Sequence, residues 1–188
     1  TSEFRGSTGT NMCGIGTFCH EFGHVLSLPD FYVTDYGHNE PTLGSWDAMD
    51  QGPYNNGGKT PPSYSSYERF FLGWLEPTIL EPGMHELKPL LSSNSAYILA
   101  DETPNLIGTR PNPTEFFMIE NRQREGWDSV GLPGVGMLIT HIDWVDSKWR
   151  SNTVNNTPGD MGVAIVCAAE TTRRPAFNTY PGEANITT

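Results

Sequence analysis

Positive charge is scarce in this chain. Only 11 Lys and Arg stand against 22 Asp and Glu in 188 residues, a formal net charge of −11. The few cations are scattered, so no basic stripe could follow a phosphate backbone, which argues against nucleic acid as a partner. Long apolar runs are missing as well. None approaches the roughly 20 residues that span a bilayer. The opening stretch TSEFRGSTGTNMCGIG has neither the basic start nor the apolar segment of a signal peptide. Glu21 already falls within the first few turns, so the chain reads as a piece of a longer protein. Cysteine is sparse too. Cys13, Cys19 and Cys167 cannot all pair and none forms a CxxC zinc pattern. A Cys13–Cys19 bridge and three free thiols both remain open. No internal repeat or low-complexity tract is present.

What the chain does have is turn chemistry. Twenty glycines and fifteen prolines point to more loop and strand than helix, while 36% hydrophobic residues suffice for a packed core. The strongest helix signal covers Gly16 to Ser27, stopped by Pro29. From Asp30 to Gly58 no period is visible, which marks a long irregular loop of the kind that carries function. A second helix is expected over Ser63 to Leu72, with Tyr64, Tyr67, Phe70, Phe71 and Trp74 as a core stripe. After about Thr78 short apolar stretches alternate with Gly and Pro turns. Residues 96–100, 115–122, 136–143 and 162–168 read as strands, and 115–122 suits an antiparallel neighbour in 136–144. The expected class is α+β.

The chemistry concentrates in His20 to Asp30, HEFGHVLSLPD. Histidines four apart project from one helix face, one turn above the other, and can offer two imidazole nitrogens to one Zn²⁺. Glu21, beside them, can take a proton from a metal-activated water and later return it to a leaving amine. A bare HExxH also arises by chance, and two helical histidines are often ordinary polar groups. The continuation Ser27 and Asp30 raises the odds, because a carboxylate just past the helix can turn back to the same metal. Three protein ligands and a water make a catalytic zinc site, whereas a structural zinc would want four.

HEFGHVLSLPDFY resembles the zinc signature of the metzincins, and within them the HExGHxLGLPDxY form of the M6 (immune inhibitor A-like) bacterial secreted peptidases. GSWDAMDQG (44–52), PPSYSSYERFFLGWL (61–75), FFMIENRQREGWD (116–128) and GMLITHIDW (136–144) extend the likeness from about Cys13 to Trp144. The resemblance implies a secreted zinc endopeptidase acting on protein or peptide substrates. It implies His20, His24 and Asp30 as ligands, Glu21 as general base and acid, and Met49 beneath the metal as the Met-turn. Residues 1–77 would then be the C-terminal part of a metzincin-like domain, and 78–188 a following β-rich region. The sheet that precedes the active helix in metzincins is missing here, so the isolated chain is expected to hold zinc weakly and cut poorly.

Two departures stand out. Ser27 occupies a position where the family has Gly, and serine there costs on the order of 1 kcal/mol if φ is positive. His38, and more weakly Asp35, are the alternative third ligands. Gln51 stands where many metzincins carry the tyrosine that stabilises the oxyanion, leaving Tyr54 as the candidate. Asp30, Asp35, Asn39, Glu40, Asp47 and Asp50 crowd one loop, which makes Ca²⁺ a second candidate ion. His141 reads as a β-sheet histidine. Asn155 and Asn185 begin formal glycosylation sequons. The rival from another class is a degenerate peptidase-like binding or adhesion module.

Overall fold

A computed structural model describes residues 14–40 and 42–167. Cys13 and Asn185, and with them the proposed Cys13–Cys19 bridge and the second sequon, lie outside the described residues. The fold is mixed α and β. Among the described residues, five short α-helices, α1 (Gly16–Val25), α2 (Asn55–Gly58), α3 (Ser66–Phe71), α4 (Leu90–Ser93) and α5 (Asp146–Arg150), accompany one five-stranded sheet. Its strands β1 (Thr78–Ile79), β2 (Tyr97–Leu99), β3 (Glu115–Arg122), β4 (Gly136–Asp143) and β5 (Val163–Ile165) lie in sequence order. The β1–β2 pair is parallel and all others are antiparallel.

β3 and β4 form the centre, in register from Glu115 opposite Asp143 to Arg122 opposite Gly136. Alternation sends Phe116, Met118, Glu120 and Arg122 of β3 to one buried face. That face changes character along the strand. Phe116 and Met118 join a core with Phe31, Met49, Tyr67, Phe70, Ile142, Trp149 and Val163. Glu120 and Arg122 instead form a buried ionic group, in which the Arg122 guanidinium lies 3.2 Å from Glu120 and 3.1 Å from Asp128. Asp128 in turn accepts from the Ser63 amide at 2.7 Å and hydroxyl at 2.8 Å, and Glu120 accepts from the Ser66 amide.

These bonds explain why α3 begins at Ser66 and not at Ser63 as expected. Ser63 is tied to Asp128, and Ser65 is the N-cap of a capping box with Glu68. Of the expected stripe, Tyr67 and Phe70 are buried but Trp74 is half exposed, because the left-handed Gly73 turns the chain out of the helix first. Asn155 is wholly buried and donates to the carbonyls of Phe31 and Val163, so it is a structural asparagine and no glycan acceptor.

Candidate metal centre

α1 ends in a Schellman turn. The Leu28 amide reaches back to the Gly23 carbonyl at 3.0 Å and the Ser27 amide to His24 at 2.9 Å. Ser27 takes the left-handed conformation this turn demands, with φ +74°. The turn buries Leu28 and brings Asp30, after the helix-stopping Pro29, back across the histidines. Asp30 Oδ1 lies 3.1 Å from His20 Nε2 and 3.3 Å from His24 Nε2.

Each imidazole is oriented from behind. His20 Nδ1 donates to the Ala48 carbonyl and His24 Nδ1 to the Leu28 carbonyl, both at 2.9 Å. With Nδ1 turned to a carbonyl, each Nε2 faces Asp30, and in the neutral ring it is the nitrogen free to bind a metal. The three donor atoms lie within 4.8 Å of one another. A tetrahedral ion with bonds of about 2.0 Å has ligand–ligand edges of about 3.3 Å, the length of the two Asp30 contacts, and two imidazoles with one carboxylate are a donor set that a divalent metal takes. Asp30 Oδ1 is buried, and apart from its contacts with the two imidazoles it has no polar partner.

The cluster draws positive charge. Burial alone would raise the Asp30 pKa, but the hydrogen bonds from His20 and Asn152 and the charges of both histidines hold it below its ordinary value. Burial would lower that of His20, but the bonds to Asp30 and the Ala48 carbonyl raise it overall.

Met49 is fully buried beneath α1, and Gly23 makes room for it: a Cβ there would sit 2.3 Å from the Met49 sulfur. Met49 also returns its carbonyl to the Phe31 amide at 2.9 Å, while Asp47 holds the Met49 amide at 2.7 Å. The loop that supports His20 through Ala48 is thereby fixed on both sides.

Glu21 is exposed and lines, with His20, a cavity of about 920 Å³ that also carries Tyr32, Tyr36 and Tyr54. Tyr54 is mostly exposed. The Tyr32 ring lies 6.4 Å from that of His20, and burial and then the charge of Asp30 push its hydroxyl up to about 12. The sequence singled out Tyr54 and passed over Tyr32, although Tyr32 is only two residues past Asp30.

His38 and Asp35 are not brought to the cluster. His38 Nε2 bonds the Asn155 carbonyl at 3.0 Å, and Asp35 accepts from the Gly37 amide. His141 pairs with Glu115 across β3 and β4. In the acidic loop, Asp50 accepts from Thr42 and Gly44, and Glu40 from the Gly159 amide. Among the described residues, no second group of three acidic, His or Cys donors comes close enough to share an ion.

The residues that sequence reasoning missed lie far along the chain. Asn152 accepts from the Asp30 amide and donates to Asp30 Oδ2, each at 2.6 Å. Asn156 bonds Thr34 through both its amide and hydroxyl.

Residues 8–74 match the family model described as "Immune inhibitor A peptidase M6, catalytic domain". Outside that segment the likeness continues more thinly. Immune inhibitor A of Bacillus thuringiensis subsp. alesti is 43% identical over 60 residues, covering 30% of this chain and 9% of that protein. The pre-pro-metalloprotease PrtV of Vibrio cholerae is 31% identical over 127 residues, covering 57% and 14%. A putative secreted metallopeptidase of Arthroderma benhamiae is 27% identical over 121 residues, covering 56% and 17%. The chain therefore spans less than a fifth of the length of each of these relatives. No solved structure gives a significant match.

Proposed function

We propose that this M6 segment carries the metal site of a secreted zinc endopeptidase. The observation that carries the reading is one carboxylate oxygen, Asp30 Oδ1, shared at 3.1 and 3.3 Å between two oriented imidazoles beside an exposed glutamate. His20, His24 and Asp30 would hold Zn²⁺ and leave a fourth position open. Bound there, zinc supplies a water of pKa near 7 and polarises the scissile carbonyl. Glu21 takes the proton from that water and passes it to the leaving amine. The Ala48 and Leu28 carbonyls keep both rings in the productive tautomer, and Met49 fills the space beneath the helix as the Met-turn. The cavity next to Glu21 receives the peptide, and Tyr54, with Tyr32 as a second candidate, holds the carbonyl oxygen as charge develops on it.

Within the expected division at residue 77, the described residues before it supply this site in a metzincin-like arrangement and those from 78 to 167 supply the β-rich support. The secreted location rests on the names of the relatives. No helix among the described residues is long and apolar enough to cross a membrane.

The test is Glu21→Ala with zinc content and casein cleavage measured together. A catalytic glutamate predicts full zinc content and at least a 100-fold loss of cleavage, the scale of a lost general base. A binding module predicts no change in partner binding. Unaltered cleavage, or a wild-type chain that takes up no zinc, sinks the peptidase reading.

A further inference from the structure

We infer that Asn152 is the positioning residue for the third metal donor, so that the site is assembled from segments 122 residues apart. The inference rests on His20, His24 and Asp30 being the metal-binding set, and adds a fourth residue that touches no metal.

The geometry is reciprocal. The Asn152 carboxamide oxygen accepts from the Asp30 amide, and its nitrogen donates to Asp30 Oδ2, both at 2.6 Å. One planar side chain thus fixes the backbone and the carboxylate of Asp30 at once. The donor takes Oδ2 and leaves Oδ1 facing the two Nε2 atoms. The choice of group matters. A lysine or arginine at this point would neutralise Asp30 and compete with a cation for it, whereas a neutral amide orients the carboxylate and leaves its charge for the metal.

The backbone supports the same reading. Asn152 sits in the left-handed region at φ +58°, where a non-glycine residue costs free energy and asparagine is tolerated best. The turn after α5 places it there: the Asn152 amide bonds the Trp149 carbonyl, and the next amide, Thr153, bonds Lys148. The surrounding loop is stapled to the metal turn at further points. The Thr34 hydroxyl donates to the Asn152 carbonyl at 3.0 Å, and Asn156 takes the Thr34 amide at 2.9 Å. Asn155 donates to the Phe31 carbonyl at 2.7 Å. These neighbours hold the turn, but Asn152 is the one of the three that reaches the ligand itself. It lies outside residues 8–74, where the match to the family model ends.

The experiment is a zinc titration of the full chain against a competing chelator, with thermal melting of the metal-free protein alongside. Asn152→Gly keeps the left-handed backbone and removes the carboxamide. Asn152→Asp keeps an acceptor for the Asp30 amide but sets a second carboxylate against Oδ2. Asn156→Ala removes a similar number of hydrogen bonds from the same turn without touching Asp30. The positioning role predicts zinc affinity about 10–100-fold weaker in Asn152→Gly, weaker still in Asn152→Asp, and within twofold of wild type in Asn156→Ala even where its melting temperature falls. If Asn152→Gly fails to fold, Asn152→Asp carries the comparison. Equal zinc affinity in wild type and the Asn152 variants overturns the inference, as does an equal loss in Asn156→Ala. A wild-type chain that binds no zinc overturns the metal reading itself, which the other outcomes leave standing.

Discussion

Ser27 carries the most economical test of the turn that delivers Asp30. Its φ of +74° belongs to the region that L side chains avoid, and the Schellman bonds on either side leave it no other choice. Replacing it with glycine relieves the backbone but frees the unfolded chain, so Ser27→Gly is expected to stabilise by a net of about 0.5–1 kcal/mol, read as a rise in urea midpoint. Gly23 has the opposite response. Its Cβ would sit 2.3 Å from the sulfur of a fully buried Met49, which would have to shift. Gly23→Ala should therefore cost about 1–3 kcal/mol by overpacking, and it should weaken zinc retention because the Met49 loop also carries the carbonyl that orients His20. Of the two cavity tyrosines, a role at the developing oxyanion predicts a fall in kcat with little change in KM for the phenylalanine variant. Comparing Tyr32→Phe with Tyr54→Phe assigns it.

α1 presents two opposite faces. At about 100° per residue, His20 and His24 fall on one side and Ile15, Phe18, Phe22 and Val25 on the other. All four apolar residues are exposed, from 47% to 75%, and Phe18 and Phe22 stack on each other at 6.4 Å. A naked stripe of this kind marks a contact surface. Light scattering should show the chain associating as its concentration rises, and Phe18→Ser with Phe22→Ser should suppress that while leaving the melting temperature nearly unchanged. Legibility from sequence divides along the same lines. α1, β3 and β4 were readable because their signals are local: the helix starts at Gly16 as expected but ends at Val25, two residues early, since the left-handed Ser27 turns the chain before Pro29 is reached, and eight-residue runs of strand-forming residues fill β3 and β4 from end to end. The brief α4, α5 and β1 carry too few residues for any period to show. The start of α3 was hidden because it depends on Asp128 and Glu120, more than 50 positions away. Asn152 was hidden for the same reason, since nothing near SNTVNN announces that its partner is Asp30. His20, His24 and Asp30 were legible because a single helix and turn place all three.

At the scale of the molecule, the ionic group buried between β3 and the Met49 loop governs the response to pH. Burial, and then the charge of Asp50, push the Asp47 carboxyl up to about 7. Burial and the charge of Asp47 likewise raise Glu68. The folded protein keeps a proton there between its unfolded value of 3.8 and about 7, while the unfolded chain has already released it. This contribution is complete at the acid end of that window and is lost as pH rises through it. The raised His20 acts in the same direction. Metal-free protein should therefore lose on the order of 2 kcal/mol between pH 5 and 8, and Asp47→Asn should flatten that slope in denaturant titrations at each pH. A second consequence concerns time. Asp30 and Asn152 are 122 residues apart, and a ribosome adding about 5–20 residues per second needs roughly 6–25 s to pass from one to the other. Throughout that interval Asp30 lacks the amide that fixes its carboxylate. The carboxylate of Asp30 therefore gains its amide partner only after 122 further residues have been joined to the chain.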